Sequence, residues 1–438
     1  MFSVILKLYC KLYLPGIYLY LFASNIINKV IHSFTSEKIY INKKYTEGDK
    51  IIILVVYENS ILRNDISRLI NTCKAQCNLY LMVINNSKLD HNEIKKYENK
   101  IDCYVERNNY GRDFGAYKFA FEYLFKNNMH LKSDRVIMLN DSVYYDTDRL
   151  QNFLDEFLNT QMEVLGATEN YEIEHHLGSF AISLSNKIIN NNKFIKYWKY
   201  YKNSNTRPTV IKKGEMGLSK VLFKISKYDA ISSIYSVISL RKYLEKKEDN
   251  VFEVVKILRK SRYVDWPVLE SKNLVESFLC RSAIKKISHD HHHILGGGLS
   301  AAHSHESTNL NFKDDSSLHL GYITEINEID SLIKGFNLKS IEKFKIEFIQ
   351  YVINLLVEYS KFGSQIHQNN AVFLKMGCPL IKLDGIYRGM FVEEDVYCFS
   401  KLIDIKYFDE LYYLLIKKPF GGLFLKGWKR EAFKRGLI

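Results

Sequence analysis

Residues 51–57 read Ile-Ile-Ile-Leu-Val-Val-Tyr, a run in which every side chain is apolar or aromatic. An uninterrupted run of this kind, rich in β-branched residues, predicts a strand that is buried on both of its faces. Such strands lie inside parallel sheets, between two layers of helices. The run therefore predicts an α/β fold for this part of the chain.

The segments that follow alternate between strand and helix patterns. Alternation of this kind predicts a mainly parallel sheet with helices on both faces. Residues 230–287 have a helical, charged pattern and residues 341–359 a helical one, so we expect a mainly helical C-terminal region. The predicted strands cover residues 79–84, 101–105, 135–139, 164–169 and 179–184, and the predicted helices cover residues 63–76, residues 92–99 and the stretch from the glycines near residue 111 to about residue 125.

Polar residues stand where the first four predicted strands end. Tyr57, Asn85, Asn109 and Asn140 each belong to one of these strand ends. Ligands of parallel α/β sheets bind at the carboxyl ends of the strands. We therefore expect these residues to contribute to a ligand site.

Residues 109–118 read Asn-Tyr-Gly-Arg-Asp-Phe-Gly-Ala-Tyr-Lys, with two glycines around the pair Arg112 and Asp113 at a predicted helix start. Gly111 lets the backbone approach a ligand closely, and a helix N-terminus favours negative charge. Arg112 could bind a diphosphate through two hydrogen bonds. A glycine turn that only packs the helix against a strand has the same spacing, so both interpretations stay open.

Asp141 follows the apolar run of residues 136–139 and is flanked by Asn140 and Ser142. A carboxylate at a strand end can hold Mg²⁺ or Mn²⁺, whose hard oxygen ligands bridge the protein and a diphosphate. The alternative is an Asp that caps the next helix or turn.

Three further residues are candidates for chemistry. Glu215 precedes a predicted helix that runs to about residue 225, so it could be the general base that deprotonates an acceptor hydroxyl. Compensation of charge at the helix N-terminus is its alternative role. His175 and His176 lie just before a predicted strand entry and are candidate acceptor or donor contacts, against the alternative of a satisfied, half-buried pair.

The charge of the 438-residue chain favours an anionic partner, since 62 basic and 49 acidic side chains give a net charge of +13. No nucleic-acid-binding motif accompanies this charge, so we predict no nucleic-acid partner. The last 22 residues combine aromatic anchors and a single acid with seven basic side chains, which are Lys417, Lys418, Lys426, Lys429, Arg430, Lys434 and Arg435. A segment of this composition is typical of binding to an anionic membrane surface. A helix that packs on the body with a solvated basic face fits the composition equally well.

The N-terminal residues 2–31 are mostly apolar but are interrupted by Lys7, Lys11 and Lys29. The longest run without charge, residues 12–28, is shorter than the roughly 20 residues that span a bilayer. This pattern predicts an interfacial or packed helix, with a single membrane span as the alternative.

The histidines and cysteines give no closed ligand set. Seven of the 13 histidines lie between His289 and His319, with spacings that match no zinc site, so we expect a solvated linker there. The seven cysteines have no repeated pair spacing. They are expected to be reduced structural thiols of a cytoplasmic protein.

Four motifs in order resemble the rhamnan synthesis protein F family of polysaccharide glycosyltransferases. They are the segment at 109–118, Ile-Met-Leu-Asn-Asp-Ser-Val-Tyr at 137–144, Gly-Ala-Thr-Glu-Asn at 166–170 followed by His-His-Leu-Gly-Ser-Phe at 175–180, and Val-Ile-Lys-Lys-Gly-Glu-Met-Gly-Leu-Ser-Lys at 210–220. The resemblance covers about residues 50–227. Residues 373–383, Phe-Leu-Lys-Met-Gly-Cys-Pro-Leu-Ile-Lys-Leu, are a fainter match to a segment near the family's C-terminus.

The resemblance implies a GT-A-like, Rossmann-type fold and a nucleotide diphosphate sugar as donor. It implies transfer of rhamnose or a similar deoxyhexose to a growing cell-surface polysaccharide or lipopolysaccharide, and we expect this transfer to proceed with inversion. The acceptor would be a lipid-linked glycan, and the enzyme would be cytoplasmic and peripheral at the inner face of the cell membrane.

The resemblance also assigns roles to residues of this chain. Asn109, Gly111, Arg112 and Asp113 would line the donor site. Tyr57 and Asn85 are predicted as further donor contacts from their places at the strand ends, independently of the resemblance. Asp141, with Asn140 and Ser142, stands where related enzymes keep an Asp-x-Asp metal motif, and Glu215 stands where the base is expected. Asn-Asp-Ser has only one Asp, which leaves open a non-catalytic relative that acts as a glycan- or membrane-binding module.

The domain organisation predicted from these observations has five parts. They are a membrane-proximal segment over residues 1–44, a GT-A-like domain over 45–228, a helical region over 229–287, a His-, Gly- and Ser-rich linker over 288–320, and a helical accessory region with a basic aromatic tail over 321–438.

Overall fold

The computed structural model describes residues 2–258 and 341–438. The chain divides into two compact units, which are Met1–Ser236 together with Phe362–Ile438, and Val237–Lys361. The predicted linker at 288–320 and its histidines lie outside the described residues, as do residues 259–287 and 321–340 of the flanking predicted regions.

The first unit contains all of the strands in the described residues. They are β1 (Lys38–Asn42), β2 (Lys50–Val56), β3 (Leu79–Asn85), β4 (Cys103–Glu106), β5 (Arg135–Asn140), β6 (Val143–Tyr145), β7 (Val164–Asn170), β8 (His176–Leu177), β9 (Ala181–Ser185), β10 (Ile231–Tyr235) and β11 (Leu380–Lys382).

Helices surround these strands and fill most of the C-terminal region. Up to the end of the second unit they are α1 (Phe2–Ser33), α2 (Asn64–Lys74), α3 (His91–Lys96), α4 (Arg112–Lys126), α5 (Met129–Lys132), α6 (Thr147–Asn159), α7 (Asn186–Ile189), α8 (Asn192–Tyr200), α9 (Arg207–Val210), a π-helical turn (Ile211–Glu215), α10 (Met216–Ile225), a 3₁₀ turn (Tyr228–Ala230), α11 (Val237–Lys246), α12 (Glu248–Leu258) and α13 (Ile341–Ser360). The C-terminal ones are α14 (Gln365–Gln368), α15 (Asn370–Lys375), α16 (Glu393–Leu402), α17 (Ile405–Ile416), α18 (Gly421–Phe424) and α19 (Gly427–Lys434).

The main sheet has the order β1-β4-β3-β2-β5-β9-β7-β10, with β8 paired to β7. Strands β4, β3, β2 and β5 are parallel neighbours, whereas β1 and β9 run against them. Strand β7 is antiparallel to β9 and parallel to β10, so both share the direction of the central four. The mainly parallel α/β sheet predicted from the sequence is therefore confirmed.

The apolar run at β2 forms the middle of two hydrophobic cores. Ile52, Leu54 and Val56 belong to one core, and Ile51, Ile53 and Val55 to the other, each without exposed surface. Helices α2 and α6 cover the first core, and helices α4, α8 and α10 cover the second. Because side chains of a strand alternate between faces, a run without polar residues needs a helical layer on each side.

Five of the described strands were not predicted from the sequence, namely β1, β6, β8, β10 and β11, and two of them lie at the outer edges of the main sheet. Residues 231–235, predicted to begin a helical region, form the strand β10, which pairs with β7. Strand β1, which lies at the opposite edge of the sheet, had no counterpart among the predicted strands. Both edge strands are short, β1 is largely exposed and β10 is partly buried, and neither has the clear apolar alternation of a half-buried strand.

The C-terminal part of the first unit contacts the segment that follows the carboxyl end of β5, where Asn140, Asp141 and Ser142 lie. Strand β11 pairs antiparallel with β6, which places Lys382 opposite Val143. Since β6 follows Asn140, Asp141 and Ser142 directly, this pairing brings residues far apart in sequence to the same place.

Helices α11, α12 and α13 form the described part of the second unit. Their apolar residues are buried against one another, with Leu240, Val251, Phe348 and Leu356 almost without exposed surface. Arg241 of α11 donates through Nη2 to Oδ1 of Asn354 on α13 at 2.8 Å.

Among the described helices, α1 contains one stretch long and apolar enough to cross a membrane, Leu14–Ser33. Its mean hydropathy is 1.2 over 20 residues. Signal sequences and the core helices of soluble proteins have the same length and composition, so this stretch alone does not assign α1 to a membrane.

Candidate active site

A cleft of about 810 Å³ lies at the carboxyl ends of β2, β3 and β4. The predicted donor residues Tyr57, Asn109 and Arg112 line it. The other lining residues come from the same strand ends, from the loop before α9 and from the end of α1, and they are Asn59, Asn86, Ser87, Lys88, Glu106, Arg107, Asn108, Asn205, Asn28, Phe34, Thr35, Ser36 and Lys38. Polar residues at the ends of β2, β3 and β4 therefore share one cavity, whereas Asn140, Asp141 and Ser142 after β5 do not line it.

Asn85 lies behind this cleft and organises its floor. Its side chain is fully buried, its Oδ1 accepts from the backbone N–H groups of Glu58 and Ser87 at 3.1 Å each, and its Nδ2 donates to the carbonyl of Glu58 at 2.9 Å. This arrangement ties the loop after β2 to the loop after β3. Direct contact of Asn85 with a donor stays a prediction.

Asn86 and Arg107 are buried polar residues of the cleft that had not been singled out as site residues. Arg107 donates to Oδ1 of Asn86 and, at 2.7 Å, to the carbonyl of Tyr110. Within the described part of the chain, Nδ2 of Asn86 and Nε of Arg107 have no hydrogen-bond partner. Burial lowers the pKa of Arg107 to about 10, so the guanidinium stays charged near neutral pH. Their place in the predicted polar strand ends was the only signal in the sequence.

The start of α4 needs its glycines for packing. Gly111 has φ of 87°, its N–H donates to Oδ1 of Asn205 at 2.8 Å, and a Cβ atom there would lie 2.9 Å from Cβ of Asn203. A Cβ atom at Gly115 would lie 2.4 Å from the carbonyl oxygen of Tyr110. The packing interpretation of the two glycines is therefore correct, and the cleft beside them leaves the binding interpretation open.

Arg112 follows Gly111 in a left-handed backbone conformation, with φ of 52°. Such a conformation is uncommon outside glycine, and backbone strain of this kind concentrates at functional sites. The side chain is exposed on the cleft. Its position suits an anion in the cleft.

Asp141 lies in the turn between β5 and β6, where two groups fix its position. Its Oδ2 accepts from the backbone N–H of Tyr57 at 2.6 Å, and its carbonyl accepts from Nη1 of Arg63 at 2.8 Å. Arg63 is in turn paired with Asp65 at 2.9 Å. Asp141 does not cap a helix, since the next helix has Asp146 as its N-cap residue.

A chain of hydrogen bonds runs from Lys382 to Asp113. Nζ of Lys382 donates to Oγ of Ser142 at 2.8 Å, Ser142 donates to Oδ1 of Asn140 at 2.6 Å, and Nδ2 of Asn140 donates to Oδ2 of Asp113 at 3.3 Å. Nζ of Lys382 also lies 4.8 Å from the centre of the Phe180 ring. Lys382 belongs to the segment 373–383 that resembles the family only faintly, and its role was missed because nothing local indicates that β11 pairs with β6.

The pKa of Asp113 is shifted by charged residues from several elements of the site. Burial, followed by the negative charge of Asp141, raises the pKa of Asp113 to about 7, and Glu215 adds to the rise. Lys382 and Arg112 oppose it. Asp141, Glu215, Lys382 and Arg112 therefore each lie within electrostatic reach of Asp113. Burial also raises the pKa of Asp141, an effect that Arg63 and the N–H of Tyr57 counteract.

The side chains of Glu215 and His176 lie close to each other. Oε2 of Glu215 lies 3.6 Å from Nε2 of His176, and Nδ1 of His176 lies 2.7 Å from the carbonyl oxygen of Glu174. Burial lowers the pKa of His176, but the contacts with Glu215 and the Glu174 carbonyl outweigh burial and raise the pKa above its ordinary value. His176 is therefore placed to hold the Glu215 carboxylate.

Glu215 directly precedes α10, as predicted from the sequence, but no free helix end lies there. Residues 207–225 form one continuous helical run, in which the π-helical turn Ile211–Glu215 joins α9 to α10. Single π turns inside helices are frequent at functional sites. A Cβ atom at Gly214 would lie 2.8 Å from the ring of Phe114, so the missing side chain lets this turn pack directly against the start of α4.

His175 points to a different place from His176. Its ring stacks between Tyr171, at 4.8 Å, and Phe223, at 5.2 Å, and its Nε2 lies 3.6 Å from Oε2 of Glu169. The structure thus separates the two adjacent histidines, and a ligand contact by His175 stays a prediction.

A metal ion at Asp141 would need most of its ligands from the diphosphate of a bound nucleotide sugar and from water. Within residues 2–258 and 341–438, no three His, Cys, Asp or Glu side chains form a group that could hold a metal ion. Mg²⁺ is commonly bound through one or two carboxylates together with substrate phosphates and water. One carboxylate, that of Asp141, therefore fits such an ion when a diphosphate supplies further oxygens.

A comparison with protein families finds the family that the four motifs resemble. The model of the rhamnan synthesis protein F family matches residues 81–262, which confirms the resemblance over that range. A curated relative, the uncharacterized protein y4gN of Sinorhizobium fredii (strain NBRC 101917 / NGR234), is 26% identical over 201 residues, which are 44% of this chain and 50% of the relative. The chain thus spans about half the length of that relative. Among solved structures, the glycosyltransferase GlyE in Streptococcus pneumoniae TIGR4 is 14% identical, with 48% of each chain covered and a TM-score of 0.25, so this likeness adds nothing to the description of the site.

Proposed function

We propose that the protein is a glycosyltransferase that transfers a sugar from a nucleotide diphosphate sugar to a hydroxyl of a growing glycan. The observation that carries this proposal is the grouping of charged residues around Asp113. Lys382 is linked to Asp113 by hydrogen bonds, Asp141, Glu215 and Arg112 lie within its electrostatic reach, and Arg112 also lines the cleft. The match to the rhamnan synthesis protein F family supports polysaccharide biosynthesis as the context.

The cleft suits the nucleotide part of the donor. It lies at the carboxyl ends of parallel strands, where α/β sheets bind their ligands. Its lining is rich in amide and hydroxyl side chains, among them Asn59, Ser87 and Asn108. Such groups can exchange hydrogen bonds with a base or a ribose.

The diphosphate would lie between Arg112 and Lys382. Arg112 is exposed on the cleft, and both Arg112 and Lys382, which belongs to β11, lie within electrostatic reach of Asp113. Two cations at this place stabilise the negative charge that develops on the leaving diphosphate. Mg²⁺ or Mn²⁺ held by Asp141 would supply further positive charge there.

Glu215 would act as the base. In transfer with inversion, the acceptor oxygen attacks the anomeric carbon, its proton passes to the Glu215 carboxylate, and the bond to the diphosphate breaks with its electron pair leaving on the diphosphate oxygen. His176 would keep the carboxylate oriented. Asp113 would face the positive charge that develops on the sugar ring.

The finer identity of the substrates follows the resemblance. We propose rhamnose or a similar deoxyhexose as the sugar and a lipid-linked precursor of a cell-surface polysaccharide or lipopolysaccharide as the acceptor. The enzyme would act in the cytoplasm, peripheral at the inner face of the cell membrane.

The experiment is a panel of nucleotide diphosphate sugars offered to the full chain, with free nucleotide diphosphate as the readout. Asp141→Ala and Glu215→Ala should both lower the turnover of the preferred donor. Glu98→Gln changes an exposed carboxylate after α3 and should leave it unchanged. Turnover that neither alanine substitution reduces would refute the site, and absence of both turnover and nucleotide binding would favour a non-catalytic relative.

A further inference from the structure

One face of α1 lies against the body of the first unit. Ile17 is buried in a cluster with Ala432 and Leu437, and Leu21 packs on the same cluster. Further along, Oδ1 of Asn25 accepts from the N–H of Asn205 at 2.9 Å.

The contact continues to the end of the helix, where the rings of His32 and Tyr110 are 5.3 Å apart. Positions 17, 21, 25, 28 and 32 are spaced by three and four residues, so they form a single stripe on the helix. From Ile17 to His32, α1 is thus held against the body.

The opposite face of α1 is apolar and exposed. Its residues are Leu19, Phe22, Ile26, Ile27 and Val30, which are 69%, 63%, 46%, 58% and 51% exposed. We call these five residues the α1 face. Contiguous apolar surface of this kind marks an interaction site, because isolated exposed apolar residues are common but clusters are not.

The surroundings of the α1 face are basic. Residues 2–33 contain no Asp or Glu, and Lys29 beside the face is exposed. The ring of Tyr20 lies 5.0 Å from that of Trp428 on α19, and the two residues after Trp428 are the exposed Lys429 and Arg430. Basic side chains therefore border the apolar face where α1 meets α19.

We propose that the α1 face docks on an anionic lipid bilayer, with α1 lying in the plane of the interface. Insertion of the apolar side chains and attraction between basic side chains and acidic headgroups act together in such binding. A second copy of the chain fits less well, because pairing two α1 faces would bring their basic borders together. This proposal does not depend on the sugar chemistry proposed above.

The experiment is sedimentation of the full chain with phosphatidylcholine vesicles and with vesicles of phosphatidylcholine and phosphatidylglycerol. The chain should bind the second kind preferentially, and salt should weaken the binding. The double substitution Phe22→Asp with Ile26→Asp should lower the partition coefficient by about tenfold or more, since it removes two inserted side chains and adds negative charge. Leu131→Asp, at an equally exposed position on α5, should leave the binding unchanged.

A second pair of variants tests the charges. Lys429→Glu with Arg430→Glu should weaken binding to the anionic vesicles, whereas Lys95→Glu with Lys126→Glu, which changes the net charge by the same amount, should weaken it less. Equal binding to both kinds of vesicle, or unchanged binding by the Phe22 and Ile26 variant, would overturn the proposal.

Two further results would also overturn it. One is a dimer in solution that the Phe22 and Ile26 substitutions dissociate, which would identify a second copy as the occupant. The other is resistance of the membrane-bound chain to extraction with alkaline carbonate, which would indicate a span. All variants should keep the far-ultraviolet circular dichroism of the unsubstituted chain, since the substituted side chains are exposed.

Discussion

Oε2 of Glu215 lies 3.6 Å from Nε2 of His176, so an acid from a π-helical turn and a histidine from the strand β8 meet beside the carboxylates of the sheet edge. The same contact raises the pKa of His176, against the effect of its burial. This pair gives the proposed base a fixed orientation, and it is the relationship on which the first prediction depends.

Glu215→Gln keeps the shape of the side chain and removes its ability to take a proton. We expect kcat for transfer to fall by about 10²- to 10⁴-fold, the usual range for loss of a general base. The dissociation constant of the donor, measured by calorimetry, should stay close to that of the unsubstituted enzyme. A loss of donor binding in parallel with kcat would show that Glu215 holds the donor and is not the base.

Asp141→Asn tests for a metal. If Asp141 binds Mg²⁺ or Mn²⁺ together with the diphosphate, added Mn²⁺ should tighten binding of a nucleoside diphosphate to the unsubstituted chain and should have little effect on the variant. Titration calorimetry with and without Mn²⁺ measures both. Equal tightening in the two proteins would place the metal elsewhere, and no effect in either would indicate a metal-independent enzyme.

Lys382→Met should weaken binding of nucleoside diphosphates and lower kcat, because it removes a cation next to the proposed leaving group. Lys382→Arg should retain part of both. A nucleoside without phosphates should bind equally to all three proteins. Lys95→Met, which removes an exposed cation on α3, serves as the control, and an equal effect there would assign the result to net charge.

Asp113 should make the stability of the protein depend on pH. Its pKa of about 7 in the folded protein lies above the ordinary value of 3.8, so the folded state binds a proton that the unfolded state has already lost between these values. The contribution of Asp113 to stability therefore falls as the pH rises through this range and stays unfavourable above it.

The variant Asp113→Asn isolates this effect. Relative to the unsubstituted chain, its free energy of unfolding in urea should improve as the pH is raised from about 5 to about 8. Asp409→Asn, at an exposed position on α17, should follow the unsubstituted chain at every pH. A difference between Asp113→Asn and the unsubstituted chain that does not change with pH would contradict the raised pKa.

Gly111→Ala and Gly48→Ala separate backbone strain from packing. The two glycines have φ of 87° and 89°, but a Cβ atom at Gly111 would lie 2.9 Å from Asn203, whereas one at Gly48 would meet nothing within 4 Å. Both variants should lose about 1 kcal/mol or more of unfolding free energy through φ alone. Gly111→Ala should lose about 1–3 kcal/mol in addition, the usual cost of overpacking. If urea unfolding shows that both variants lose the same unfolding free energy, the loop around Asn203 moves to make room for the added methyl group.

The centre of the fold could be predicted from local patterns. The run at β2 needed burial on both faces, and the polar strand ends followed from the direction of parallel strands. Strand β10 could not be predicted, because Ser232 and Ser233 interrupt its apolar pattern and its pairing with β7 is a long-range contact.

The site was predictable only in part for the same reason. Asp141, Arg112 and Glu215 stand in motifs that can be quoted from short segments. Lys382 reaches the site through the pairing of β11 with β6, across more than half of the chain. The π-helical turn at Glu215 depends on how Gly214 packs against Phe114, which no local periodicity encodes.

Helix α1 has a practical consequence for anyone who wants to handle this protein in solution. Its outward face is the obvious target for removal, yet Asn28 near its end and Phe34 just beyond it form part of the wall of the cleft. A chain shortened by this helix would gain solubility and lose the surface against which a nucleotide is expected to rest. Replacing the outward side chains one by one, with the helix kept, is therefore the sounder route to a soluble and still competent protein.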